Sequence, residues 1–206
     1  MDVRQISPGL WLWSAPHPEW RGATDWPEDV NCVYYEAADA TVLIDPLVPT
    51  GEENEFWQAL DRDVERTGRP VAVLLTAPWH ERSAAEVSNR YGATVWAHED
   101  GRDRLSVTAR SGDLPAGVEV FVPAGMSEGQ VAFFIRPHGT LVVAEFFMGI
   151  DGGLSIRPSP SLSDRKAFDE SLRRLLDLPI VHVVVSHGEP VLRDGRAKIE
   201  EALAHG

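Results

Sequence analysis

The 206-residue chain has little that would tie it to an oxidising compartment, a membrane or a polyanion. It carries one cysteine, Cys32, so no internal disulfide can form. That residue reads as a buried thiol in a reducing cytoplasm, with no basic neighbour in the sequence to activate it. No run approaches the roughly 18 apolar residues of a membrane helix. The N-terminal stretch Met1-Asp2-Val3-Arg4-Gln5 lacks the apolar core of a signal peptide. Basic residues are scarce, 19 against 32 acidic ones, and the net charge is −13. The acids are spread along the chain. Such a surface repels phosphate backbones and anionic lipid, which argues against nucleic acid or membrane as a partner. Internal repeats, low-complexity tracts and long linkers are lacking too, so one domain spanning 1–206 is expected.

What is there is an ordinary globular composition, 43% hydrophobic and 25% charged. Leu10-Trp11-Leu12-Trp13 reads as an early strand, and 31–37 with 41–45 as a hairpin. Residues 52–66 carry apolar side chains at Phe56, Leu60 and Val64, a helical spacing, with Gly68 as a stop signal. Short continuous apolar runs at 71–75, 94–97 and 181–185 have the character of strands buried on both faces. Helices are predicted at 83–91, after Leu162-Ser163-Asp164, and at 194–204. Further strands are predicted at 118–122, 131–135 and 140–144. The order implies an α/β sandwich of two sheets with helices outside.

Five segments in this order resemble the metallo-β-lactamase superfamily over nearly the whole chain. They are Thr41-Val42-Leu43-Ile44-Asp45, Val73-Leu74-Leu75-Thr76, the loop Ala124-Gly125-Met126-Ser127-Glu128-Gly129-Gln130, Thr140-Leu141-Val142-Val143-Ala144-Glu145, and Val184-Val185-Ser186-His187-Gly188. The resemblance implies a four-layer αββα sandwich, two mixed β-sheets flanked by helices, with a metal-dependent hydrolytic cleft between the sheets. It also implies a first metal loop of the form T-H-x-H-x-D-H, where this chain reads Thr76-Ala77-Pro78-Trp79-His80-Glu81-Arg82. Aligned from Thr76, histidine positions hold Ala77, Trp79 and Arg82, and the aspartate position holds Glu81. Met126 stands at the later histidine position and Glu145 at the bridging aspartate. His187 is unchanged.

Three functions follow as expectations. The first is a metal-free pseudo-hydrolase that binds a small molecule or a protein partner in the former cleft. No cofactor is expected in that case. The second is a hydrolase of an ester, thioester or lactone with an altered single-metal site, zinc or another divalent ion, at His80, Glu145 and His187. The third is a metal-independent enzyme with His80, Glu81, Glu145 and His187 as acid/base candidates. Trp79, Arg82 and Met126 are expected to line the cleft. Trp79 either plugs it, packed on Met126, or stacks a flat ligand. Arg82 is expected to pair with Glu145 or Glu81 in the space a metal would take. Ser83 and Ser127 are hydroxyls without an adjacent base. His138 is expected to be exposed in a turn, and exposed tryptophans in the first 30 residues are the expected surface of a homodimer, if one forms.

Overall fold

A computed structural model describes residues 1–22, 26–126, 128–157 and 162–205. The strands are β1 (Asp2–Ser7), β2 (Leu10–Pro16), β3 (Asp29–Glu36), β4 (Thr41–Ile44), β5 (Val71–Leu74), β6 (Thr94–Trp96), β7 (Ala109–Arg110), β8 (Val118–Phe121), β9 (Ala132–Ile135), β10 (Thr140–Val143), β11 (Phe147–Ile150), β12 (Gly153–Ile156) and β13 (His182–Val185). The helices are α1 (Glu53–Thr67), α2 (Ala84–Tyr91), α3 (Arg165–Arg173) and α4 (Gly195–His205). Strands β1 to β7 form one seven-stranded sheet in sequence order, antiparallel as far as β4 and parallel beyond it. The second sheet has the order β13-β10-β9-β8, with β13 parallel to β10 and the other pairs antiparallel. Both sheets are therefore mixed.

The apolar runs lack polar alternation because each strand packs on both faces. Val42, Ile44, Ala72 and Leu74 of the first sheet meet Phe133, Ile135, Val142 and Val184 of the second in a shared inner core. The alternate residues Leu43 and Val73 pack outward with Phe56, Leu60 and Val87 of α1 and α2. Phe134, Leu141, Val143 and Val183 pack outward with Phe168, Leu172, Ile199 and Leu203 of α3 and α4. The result is helix, sheet, sheet, helix, the four-layer αββα sandwich expected. Helix α1 ends where Gly68 turns left-handed and donates its N–H to Val64 O, and Asp164 caps α3 by accepting from Ala167 N.

Two surface expectations need correcting. Trp13 is buried, with its indole N–H donated to Leu47 O, and Trp11, Trp20 and Trp26 are partly buried. The early tryptophans therefore do not form an exposed patch. His138 is partly buried too, with its Nδ1 2.6 Å from Ser7 Oγ. The contacts that cover these rings come from distant segments, Leu47 and Phe56 at Trp13 and Ser7 and Tyr35 at His138.

Candidate functional site

The two sheets are fastened together at one end, where Asn31, Asp45, Thr76, His80, Ser186 and His187 form a group of buried polar residues. Asn31, on β3 of the first sheet, donates its side-chain amide to Val185 O and Gly188 O beyond β13 of the second, at 2.8 and 2.9 Å. Its backbone N–H donates to Ser186 O at 3.0 Å, and Val30 bridges His187. At the ends of β4 and β5, Thr76 donates its backbone N–H to Asp45 Oδ1 at 2.8 Å and its hydroxyl to Asp45 Oδ2. After Thr76 the chain makes a short 3-10 turn over Pro78–His80, which swings His80 back under the strand ends.

His80 is 3% exposed. Its Nδ1 lies 3.1 Å from Asp45 Oδ2, and its Nε2 lies 3.3 Å from Ser186 Oγ and 3.6 Å from Glu145 Oε1. His187 Nε2 is 3.3 Å from the same Glu145 oxygen. The Glu145 side chain is 40% exposed, so the cluster opens to solvent on that side. Burial opposes a charge on His80, but the Asp45 carboxylate and hydrogen bonds donated by the imidazole to Asp45 and Glu145 outweigh it and raise its pKa. Burial opposes ionisation of Glu145 as well, yet its contacts with His187 and His80 hold its carboxyl well below the ordinary carboxylate range. At His187 burial wins, and its pKa is lowered. Within the cluster a positive charge is therefore favoured on His80 and opposed on His187.

Arg82 pairs with neither Glu145 nor Glu81. Its Nη1 donates to Asn31 O at 3.0 Å and Asp45 O at 2.9 Å, and its Nη2 donates to Ser186 Oγ at 2.8 Å. Glu81 points away from the cluster and accepts from the backbone N–H groups of Ser106 and Val107 and from the Ser106 hydroxyl. Trp79 is 39% exposed and lines a cavity of about 620 Å³ with Arg82 and His17, apart from Met126. Met126 packs on the apolar layer between the second sheet and its helices. Ser83 is buried and accepts from Val48 N, while Ser127 lies outside the described residues. Of the predicted site residues, the fold therefore brings His80, Glu145, His187 and Arg82 together and sets Glu81 and Met126 apart.

Asp45, Ser186, Asn31 and Trp26 complete the centre without having been singled out as site residues. The Trp26 ring lies 5.1 Å from that of His187. A polar Asn31 inside the apolar run Val30 to Val33 was a signal in plain view, because a buried amide needs partners. Ser186 gave none, as its partners are more than 100 residues away in sequence.

No protein-family model matches the sequence, and no curated protein matches it either. Solved structures do match. One is a metallo-β-lactamase from Erythrobacter litoralis with β-mercaptoethanol in the active site, at TM-score 0.70 and 18% identity over 98% of this chain and 94% of that one. The fold is that of the metallo-β-lactamases. The metallo-β-lactamase FIM-1 from Pseudomonas aeruginosa, in its mono-zinc form, matches at TM-score 0.68 and 12% identity over 99% of this chain and 95% of that one. TTHA1623, in a di-iron-bound form, matches at TM-score 0.59 and 25% identity over 80% of this chain and 90% of that one.

The metallo-β-lactamase fold raises the question of a metal, and the residues can be tested for it. The donor atoms of His80, Glu145 and His187 all lie within 4.8 Å of one another. Bonds of about 2.0–2.2 Å in a tetrahedral shell separate neighbouring donors by roughly 3.4 Å. The 3.3 and 3.6 Å spacings from Glu145 Oε1 to the two imidazoles agree with that. Asp45 behind His80 is the kind of outer partner that orients a ligating imidazole. His187 Nδ1 is buried without such a partner among the described residues. The donor set fits one divalent ion.

Proposed function

We propose that this metallo-β-lactamase-fold chain is a hydrolase with one divalent-cation site at His80, Glu145 and His187, acting on an ester, thioester or lactone. The observation that carries this reading is the convergence of three donor atoms on one point beside the open side of the cleft. A divalent ion held there would polarise the scissile carbonyl and lower the pKa of bound water to about 7. The chain's own part is to bind, orient and manage protons. Asp45 fixes the imidazole of His80 so that Nε2 faces the cleft. The exposed indole of Trp79, its ring centroid 6.2 Å from that of His80, offers an aromatic surface beside that ligand for the acyl or leaving group. Glu145, ionised and partly exposed, would be the anionic ligand on the solvent side of the site.

One observation favours a metal-free binding protein as the second reading. Asp45 and Glu145 already have partners in the chain itself, Asp45 with Thr76 and His80, and Glu145 with His80 and His187, so neither carboxylate is left alone without a metal. In that case the cleft takes a small molecule or a protein partner and does no chemistry. Elemental analysis and zinc titration of protein purified without added metal separate the two. The hydrolase reading expects one zinc per chain, with affinity falling about a hundredfold or more in His187→Ala and Glu145→Gln as ligands are lost. It also expects esterase, thioesterase or lactonase activity that a chelator abolishes. A wild-type chain that stays metal-free in excess zinc sinks this reading and leaves the binding protein.

A further inference from the structure

We infer that Arg82 is a built-in cation that takes the place of a second divalent ion, so that the centre accepts one ion at most. The inference rests on the single-cation reading above and deepens it. Arg82 has a backbone φ of +43°, a left-handed conformation uncommon for a residue with a side chain. From there its guanidinium is held by three fixed oxygens, the carbonyls of Asn31 and Asp45 and the hydroxyl of Ser186. These anchors come from β3, from the end of β4 and from the residue after β13, so the group is clamped by both sheets.

None of the three anchors is charged. The positive charge is thus fixed in place without being neutralised by a direct carboxylate contact. It stands one hydroxyl away from a proposed ligand atom, since Ser186 Oγ is 2.8 Å from Arg82 Nη2 and 3.3 Å from His80 Nε2. A guanidinium cannot escape repulsion by losing its proton, as a lysine can. The first ion has Glu145 as an anionic ligand and Asp45 behind His80. A second ion would have neither. Glu81, the other carboxylate of this loop, is committed to Ser106 and Val107, and no other group of three ligand-type side chains converges among the described residues.

The test is a cobalt(II) titration followed by its visible absorption, with native mass spectrometry of the same samples to count ions. Wild type at saturating cobalt should carry one ion per chain. Arg82→Gln removes the charge and keeps a hydrogen-bonding side chain, so it should bind the first ion at least about tenfold more tightly. Arg82→Lys keeps a charge that is harder to place and should stay within about threefold of wild type. Two ions on wild type would overturn the inference, a count that needs no variant to fold. So would an Arg82→Gln chain with a native circular dichroism spectrum that binds cobalt no more tightly than wild type. If wild type binds none and Arg82→Gln binds one, Arg82 excludes the first ion and not a second, and both the inference and the hydrolase reading fall. If neither binds, both fall.

Discussion

Asp45 ends β4 in a left-handed conformation, φ +50°, which aspartate tolerates better than most side chains. That bend turns its carboxylate inward to meet Thr76 and His80 together. Burial opposes its ionisation, but the charges of His80 and Arg82 and the hydrogen bonds of His80 and Thr76 prevail, and its pKa is lowered. A lowered carboxyl pKa adds stability above the ordinary value, 3.8, and that stability is lost as pH falls through the folded value. The raised imidazole of His80 adds stability below its ordinary value, 6.5, and loses it as pH rises through the folded value. Both contributions are whole between those two ordinary values. His187, whose pKa is lowered by burial, works the other way in acid, so it must be held constant. The stability difference between wild type and His80→Gln, from urea unfolding in chelator, should be largest between about pH 4 and 6.5 and should shrink as pH rises. A difference that stays flat into alkaline solution would mean that the pair is not ionic. Truncating Asp45 to Ala strands three donors at once and should cost about 3–5 kcal/mol. At this scale the sequence points to Glu145 and His187 through the order of their strands, whereas His80 stands beside the aligned ligand positions and reaches the cluster through the 3-10 turn. The sequence does not reveal the direction of Glu81, because one step along a 3-10 turn rotates a side chain by about a third of a circle.

Among the elements, the loop after β13 does the most to place the site, and backbone contact holds it. Strand β11 crosses Gly188 and Glu189 so closely that a Cβ on Gly149 would stand 2.1 Å from Glu189 O, and one on Gly188 would stand 2.2 Å from Gly149 O. Gly149 N also donates to His187 O at 3.1 Å. Gly149→Ala should therefore destabilise the chain by about 2 kcal/mol or more and displace His187. Gly153→Ala is the control. Its Cβ would meet nothing nearer than 3.6 Å, and the change should stay within about 0.5 kcal/mol. Thermal unfolding of the two variants checks this, and equal losses would show that the crossing is not tight. The hairpin of β11 and β12 is also where sequence reading fails. Residues 149–153, Gly-Ile-Asp-Gly-Gly, contain neither an apolar alternation nor a helical one. The strands form because the rest of the fold supports them, β11 against the His187 loop and β12 against α4. By contrast, α1, α2 and the inner strands are legible within a residue or two, since their stop signals and apolar runs are local.

For the whole molecule the decisive feature is that a single apolar layer joins the two sheets, and the site lies at its polar end. Phe133, on β9, is fully buried in that layer, edge-on to Trp96 of the facing sheet with ring centroids 5.3 Å apart. It pairs in register with Val142 on β10, the strand that leads to Glu145. The sandwich was legible in the sequence because each inner strand is apolar on both faces. The closure at Asn31 and Ser186 was not, because it depends on partners 155 residues apart in the chain. If the inner layer carries the fold, Phe133→Ala should cost about 3–5 kcal/mol, the range for emptying a large aromatic site. The partly exposed Val120 on the edge strand β8 should tolerate Ser at a cost of about 0.5 kcal/mol. Because the cavity would loosen β10 against the first sheet, Phe133→Ala should also weaken divalent-ion binding at Glu145, although it touches no ligand. Urea unfolding and cobalt titration of the same variant test both halves. A loss below about 1 kcal/mol would mean that the helices hold the sheets without this layer. The expected loss of about 3–5 kcal/mol with unchanged cobalt affinity would mean that the polar end is set by the Asn31 and Arg82 contacts alone.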